Sequence, residues 1–193
     1  MTAMRPIPVQ IPILPEVVAG LRVGDFLEIS GQMYAGRDAV LPKIVAMSEE
    51  ELAAKGIHLD GGVIFHTAVS VAGVGPTSSS KLEIEESIEP LSARGVRIHL
   101  GKGRLKADTM RALHVYGSLF AVTPPSTALL TDRILASEVA AFPELGMEAL
   151  YRLRVDRIPA VVAILHGQSI FEQQAQRGQV YGDLTRKDQR GNG

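Results

Sequence analysis

Apolar residues alternate with polar or small ones through Leu21-Arg22-Val23-Gly24-Asp25-Phe26-Leu27-Glu28-Ile29-Ser30-Gly31, the period of a half-buried strand, with Gly24-Asp25 as a turn and Gly31 as punctuation. Upstream, Pro6, Pro8, Pro12 and Pro15 each remove a ladder donor and bias the preceding residue away from helix, so residues 1–19 are expected to form an extended arm. Gly36-Arg37-Asp38 opens a segment that carries Pro42 and runs on to Lys55, and Ser48-Glu49-Glu50-Glu51 within it predicts a helix near 48–55. Val63–Ala68 and Val69–Ala72 read as β, a helix is expected from near Ser78 to Arg94 with a bend at Pro90, and Val96–Leu100 is a short strand. A β-helix-β unit therefore brackets Gly75-Pro76-Thr77. Farther on, Lys106–Tyr116 and Thr127–Leu135 look helical, while Ser118–Val122, Leu150–Val155 and Val161–Leu165 look like strands. The tail over 172–193 is polar and is expected to be mobile, as chain ends usually are. No repeat or linker interrupts the pattern, and a single α/β domain over 20–171 is the simplest partition.

Composition narrows the function classes. The chain has 193 residues, 46% of them hydrophobic, which suffices for one domain with a substantial core. Its formal net charge is −1 and its basic residues form no run, so no footprint for nucleic acid or an anionic membrane is present. Cysteine is absent, which excludes disulfides and thiol nucleophiles and means that this chain alone cannot hold a cysteine-ligated iron–sulfur cluster or zinc. Prolines break up the N-terminal stretch, leaving no signal-like apolar core and no membrane-length span, so a cytoplasmic protein is expected.

Against that background, Gly75-Pro76-Thr77-Ser78-Ser79-Ser80-Lys81 is the most chemical stretch of the chain. A tight turn followed by hydroxyls at a helix start offers unpaired backbone N–H groups and the positive end of the helix dipole to an anion, with Lys81 adjacent. Gly101-Lys102-Gly103 supplies a second cation between glycines that let backbone approach a ligand closely. Arg37 is the best third cation, since a guanidinium grips a carboxylate through two parallel hydrogen bonds and Asp38 can orient it. An ordinary helix cap, a lysine in a turn and a surface Arg–Asp pair account for the same residues one by one. The histidines at 58, 66, 99, 114 and 166 lack H-x-x-x-H spacing, so they read as packing or surface residues and no metal site is assigned. There is no G-x-S-x-G elbow and no phosphate-loop frame around Lys102.

The order of motifs says more than any one of them. Val23-Gly24-Asp25, Ser30-Gly31, Gly36-Arg37-Asp38, Val74-Gly75-Pro76-Thr77-Ser78, Leu100-Gly101-Lys102-Gly103 and Glu144-Leu145-Gly146-Met147-Glu148-Ala149 together resemble the β subunit, or C-terminal domain, of class I fumarases and L(+)-tartrate dehydratases, over roughly residues 20–171. The resemblance implies a three-layer β/β/α swivelling domain that docks on a separate α subunit, whose three cysteines hold a 4Fe–4S cluster. It implies a hydro-lyase acting on a four-carbon dicarboxylate, with the cluster as Lewis acid on the partner and symmetric assemblies, homodimerisation among them. By the same resemblance Thr77 is the catalytic base, and Arg37, Lys81, Lys102 and Ser78 bind substrate, with Asp38, Gly75, Gly101 and Gly103 in support. The chain departs from the family at Lys81, where an arginine is usual, and at Leu41, where a histidine follows the arginine in an R-D-x-x-H pattern. It also has Thr123-Pro124-Pro125-Ser126 in place of a glycine-rich turn, lacks an aspartate in Ala163-Ile164-Leu165-His166-Gly167, and is short between His66 and Gly75. A noncatalytic dicarboxylate-binding or assembly subunit is the alternative these departures leave.

Overall fold

The computed structural model describes residues 5–70, 73–77 and 81–172, with side chains at all of these except 75–77, 81–84 and 127. Its first strand, β1 (Ile7–Gln10), runs parallel to β2 (Phe26–Ala35), and the short helix α1 (Pro15–Gly20) lies between them in the chain. The described part of the stretch expected to be extended thus holds a strand and a short helix. Pro8 is tolerated because β1 is an edge strand, and Pro15 starts a helix where its missing N–H costs nothing.

After β2 come two short helices, α2 (Leu41–Ala46) and α3 (Glu49–Ala54). Ser48 caps α3 in a full capping box with Glu51, as the Ser-Glu-Glu-Glu run predicts, while α2 is an addition that Pro42 permits by sitting in its first turn. The chain continues through β3 (Val63–Phe65), β4 (Thr67–Ser70), β5 (Gly73–Thr77), α4 (Lys81–Ala93), β6 (Ile98–Gly101), α5 (Ala107–Val115) and β7 (Leu119–Val122). Residues 73–77 form a strand antiparallel to β4 rather than a free turn, and α4 continues through Pro90. A helix expected over 127–135 ends early: α6 spans Thr127–Thr131, and Ile134–Ala141 forms β8, whose ladder with β9 (Leu150–Leu165) overrides the helical reading. Between β8 and β9 lies a 3-10 segment, Pro143–Glu148, and a two-residue strand β10 (Gln168–Ser169) folds back on β9.

Five strands close on themselves. β2, β3, β6 and β7 are parallel neighbours, and β9 completes the ring by pairing antiparallel with both β7 and β2. The two strands expected over 150–155 and 161–165 are one strand because a bulge carries the ladder across the gap. Arg157 takes a positive φ of 54°, its N–H donates to Ser30 Oγ at 2.8 Å, and Ser30 donates to Asp156 Oδ1 at 3.3 Å. Alternation then sorts the side chains. Leu27, Ile29, Met33, Val63, Phe65, Ile98, Leu100, Leu119, Leu153 and Val162 belong to one buried cluster inside the ring. Tyr34, Ile64, Leu91 and Val96 meet Leu41, Ile44 and Leu52 in a second cluster, and Phe120 and Ile164 meet Ile88, Met110 and Leu113 in a third. Helices α2 to α5 therefore cover the outer face, a mixed α/β architecture with a sheet-dominated core. Among the described residues no helix is long and apolar enough to cross a membrane.

Candidate functional site

The parallel strands β2, β3 and β6 end level with one another, since Ala35 pairs with Phe65 and Phe65 with Leu100. Two backbone bonds extend that row: Gly36 N–H donates to Phe65 O at 3.1 Å, and His66 N–H to Leu100 O at 2.9 Å. Arg37, Thr67 and Lys102 each stand two residues beyond this row. Thr77 pairs with Thr67 across β4 and β5, so the backbone of the predicted base lies at the same edge. The strands carrying Arg37 and Lys102 are two strand spacings apart, about 10 Å, with β3 between them. Lys81 opens α4 just after this edge. The side chains of Gly75-Pro76-Thr77 and Lys81 are not described, and Ser78 lies outside the described residues.

Local sequence explains how each loop reaches this edge. A Cβ on Gly36 would fall 2.7 Å from Val40 Cγ1, so only glycine lets the chain turn over that buried valine. The Arg37 carbonyl then accepts from Val40 and Leu41 N–H groups at 3.1 and 2.9 Å, which feeds the turn into α2. A Cβ on Gly101 would lie 2.9 Å from Phe120 Cε2 and Cζ, and Gly103 has φ of 85°. Lys102 is exposed between them. Downstream, Glu85 from α4 is buried and accepts from Lys106 N–H at 3.0 Å and Thr109 Oγ1 at 2.6 Å. That carboxylate ties the far end of the Lys102 loop and the first turn of α5 to α4.

Arg37 is held by two carboxylates. Its Nε lies 3.8 Å from Asp38 Oδ1, and its Nη2 lies 3.3 Å from Glu148 Oε1, where all three side chains are about a quarter to a third exposed. Glu148 ends the 3-10 segment that carries Glu144-Leu145-Gly146, and Gly146 adopts φ 57°, ψ −121°, a conformation suited to glycine. The motif thus delivers Glu148 to Arg37. Pairs this exposed contribute about 0–1 kcal/mol to stability, so their effect is on the direction of the guanidinium.

Beside Asp38 lies a group that sequence reasoning set aside as packing. His66 and His99 are fully buried, with His66 Nε2 3.1 Å from His99 Nδ1 and His99 Nε2 3.0 Å from Ser92 Oγ on α4. Burial holds the His66 imidazole down to about 4, and the Asp38 charge works against that shift. His99 is lowered well below the ordinary range by burial and by its contact with His66. The signal available in sequence was positional. His66 directly follows an apolar strand at its C-terminal end, and His99 takes the outward place between two inward residues, Ile98 and Leu100. Ligands of parallel α/β sheets gather at such C-terminal strand ends. Among the described residues no three His, Asp or Glu side chains gather as metal ligands. A shallow cavity lined by Gln32, Glu138, Arg152 and Arg154 belongs to the strands β2, β8 and β9 rather than to these loops.

The chain is 30% identical over 173 residues to a Methanocaldococcus jannaschii protein provisionally named an L(+)-tartrate dehydratase subunit beta, an alignment covering 81% of this chain and 86% of that one. The L(+)-tartrate dehydratase subunit beta of Escherichia coli is 28% identical over 173 residues, covering 83% of this chain and 84% of the relative. The anaerobic class I fumarate hydratase of Escherichia coli is 25% identical over 173 residues, covering 83% of this chain but 31% of the relative. A class I fumarate hydratase relative from Geobacillus stearothermophilus, provisionally so named, is likewise covered over only 34% of its length, so the chain spans about a third of the fumarate hydratases and most of the tartrate dehydratase β subunits. The model of the Fumarase C-terminus family matches residues 2–174, and the chain belongs to that family.

Proposed function

We propose that this chain is the β subunit of an iron–sulfur hydro-lyase that adds or removes water on a four-carbon hydroxy dicarboxylate such as malate or tartrate. The observation that carries the reading is the shared edge of β2, β3 and β6, which sets Arg37, the Thr77 backbone and Lys102 around one short arc. A dianionic substrate needs cations at both ends. Arg37 grips one carboxylate as a fork and Lys102 meets the other as a point charge, with Lys81, which opens α4, as a further cation and the Ser78 hydroxyl as a further donor. Asp38 and Glu148 keep the guanidinium aimed, while Gly75, Gly101 and Gly103 let backbone close on the ligand. Thr77 takes the proton from the carbon next to the departing hydroxyl. A threonine hydroxyl is a weak base at its ordinary pKa, and the cations around it favour the ionised form. A 4Fe–4S cluster, for which this chain has no cysteine ligands, would be held by a cysteine-bearing α subunit and would supply a Lewis acid for the substrate hydroxyl. Docking on that subunit accords with a β/β/α swivelling domain.

The test is a pair of variants in the complex reconstituted anaerobically with the cluster-bearing subunit. Thr77→Ala abolishes turnover and leaves the melting temperature nearly unchanged, because Thr77 keeps its place at the end of β5 by backbone pairing with Thr67, which alanine preserves. Lys102→Met raises KM more than it lowers kcat. Unchanged turnover in Thr77→Ala removes that residue from the mechanism, and an unaltered KM in Lys102→Met contradicts the clamp.

A further inference from the structure

Arg37 Nε, Asp38 Oδ1 and His66 Nδ1 are buried polar atoms without a hydrogen bond, on two segments that the Gly36 N–H to Phe65 O bond sets side by side. Buried polar groups are almost always paired, so three orphans beside one candidate site call for an explanation. The network behind them is complete as far as His66. Ser92 Oγ is 3.0 Å from His99 Nε2, His99 Nδ1 is 3.1 Å from His66 Nε2, and Ser92, His99 and His66 are 2%, 0% and 0% exposed.

Proton bookkeeping gives this chain a direction. Two neutral imidazoles each carry one N–H and one bare nitrogen. If His66 Nε2 held the proton, His99 would donate to Ser92, and the His66 Nδ1 lone pair would face the anionic Asp38. The reverse order satisfies every member: the Ser92 hydroxyl donates to His99 Nε2, His99 Nδ1–H donates to His66 Nε2, and His66 Nδ1–H is left to face a carboxylate. That N–H then favours the Asp38 carboxylate as its partner, the same group whose Oδ1 lies 3.8 Å from Arg37 Nε.

We infer that Ser92, His99 and His66 are positioning residues: a one-directional hydrogen-bond chain running from α4 to Asp38, which fixes that carboxylate and through it aims the Arg37 guanidinium at a ligand carboxylate. The inference rests on the reading of Arg37 as a carboxylate grip, and it adds to that reading a support that reaches back under α4. Asp38 is thereby held from two sides, and a ligand meets a fork already oriented.

Two measurements on the full-length chain decide it. In the spectrum of the chain labelled with nitrogen-15 histidine, His66 shows a protonated Nδ1 and a bare Nε2, and Ser92→Ala shifts that population toward the opposite tautomer. Succinate, a four-carbon dicarboxylate with no hydroxyl to lose, then binds about tenfold more weakly to His66→Leu, while His66→Gln, which keeps an N–H, recovers most of the affinity. In the reconstituted complex the same contrast falls on KM rather than kcat. A His66 ring protonated on Nε2, a tautomer unmoved by Ser92→Ala, or equal succinate affinities in the leucine and glutamine variants overturns the inference. Absence of turnover in the wild-type complex counts against the hydro-lyase reading alone, because the tautomer and the succinate affinity are read without turnover.

Discussion

Acidification from pH 7 to pH 5 removes a calculable part of this protein's stability. The unfolded chain takes up a proton on His66 near 6.5, whereas the folded chain, with the ring fully buried, resists until about 4. Between those values the unfolded state binds more protons than the folded state, so stability rises with pH and falls as pH is lowered. By pH 5 the loss from His66 alone amounts to about 2 kcal/mol. His99 adds to it with the same sign, since burial and the neighbouring His66 hold its ring below the ordinary range too. Glu50 acts lower on the scale. Its carboxyl is held down by its own backbone N–H and by Ser48, so its contribution is present above the usual 4.5 and is lost only beneath it. The window from 7 to 5 therefore isolates the histidines. With a urea dependence of about 2 kcal/mol per molar, the unfolding midpoint falls by about 1 M or more at constant slope. Far-ultraviolet circular dichroism reads the transition, since the chain contains no tryptophan. In His66→Gln the curve of midpoint against pH flattens. A wild-type midpoint that stays level or rises between pH 7 and pH 5 refutes the account of the buried pair.

Two further perturbations probe the loop that carries Lys102. Glu85→Ala strips the acceptor from Lys106 N–H and Thr109 Oγ1 and costs about 1–3 kcal/mol in urea unfolding, with faster amide exchange over residues 102–106; exchange as slow as in the wild type contradicts its role as a tether. Gly101→Ala forces a methyl to within 2.9 Å of the Phe120 ring and lowers stability by about 1–3 kcal/mol, whereas an unchanged melting temperature shows that the ring yields freely.

Elements whose local chemistry and packing agree are legible in the sequence. Ser48 and Glu51 announce α3 because the capping box is a purely local device, and the alternation from Leu21 to Gly31 announces β2 because one of its faces fills the ring. The misread elements are those decided at long range. β8 is a strand only because β9 pairs with it, and β9 is continuous only because Ser30, far off in sequence, supports the bulge at Arg157. The same division runs through the site. Arg37 and Lys102 stand out as cations in glycine-bordered loops, and their common edge follows from parallel pairing of β2, β3 and β6. His66 and His99 carry no spacing signature, since they meet through neighbouring strands, and Glu148 reaches Arg37 only once the 3-10 segment has folded beside β4.

The central claim is that this chain holds half of a shared active site. Its most direct test is dehydratase activity after anaerobic co-expression with a larger chain bearing three separated cysteines. The two chains co-purify, the complex dehydrates malate or tartrate, exposure to oxygen abolishes the activity, and neither chain works alone. A stable complex with an intact cluster that turns over no four-carbon hydroxy acid contradicts the claim and leaves a dicarboxylate-binding or assembly subunit in its place.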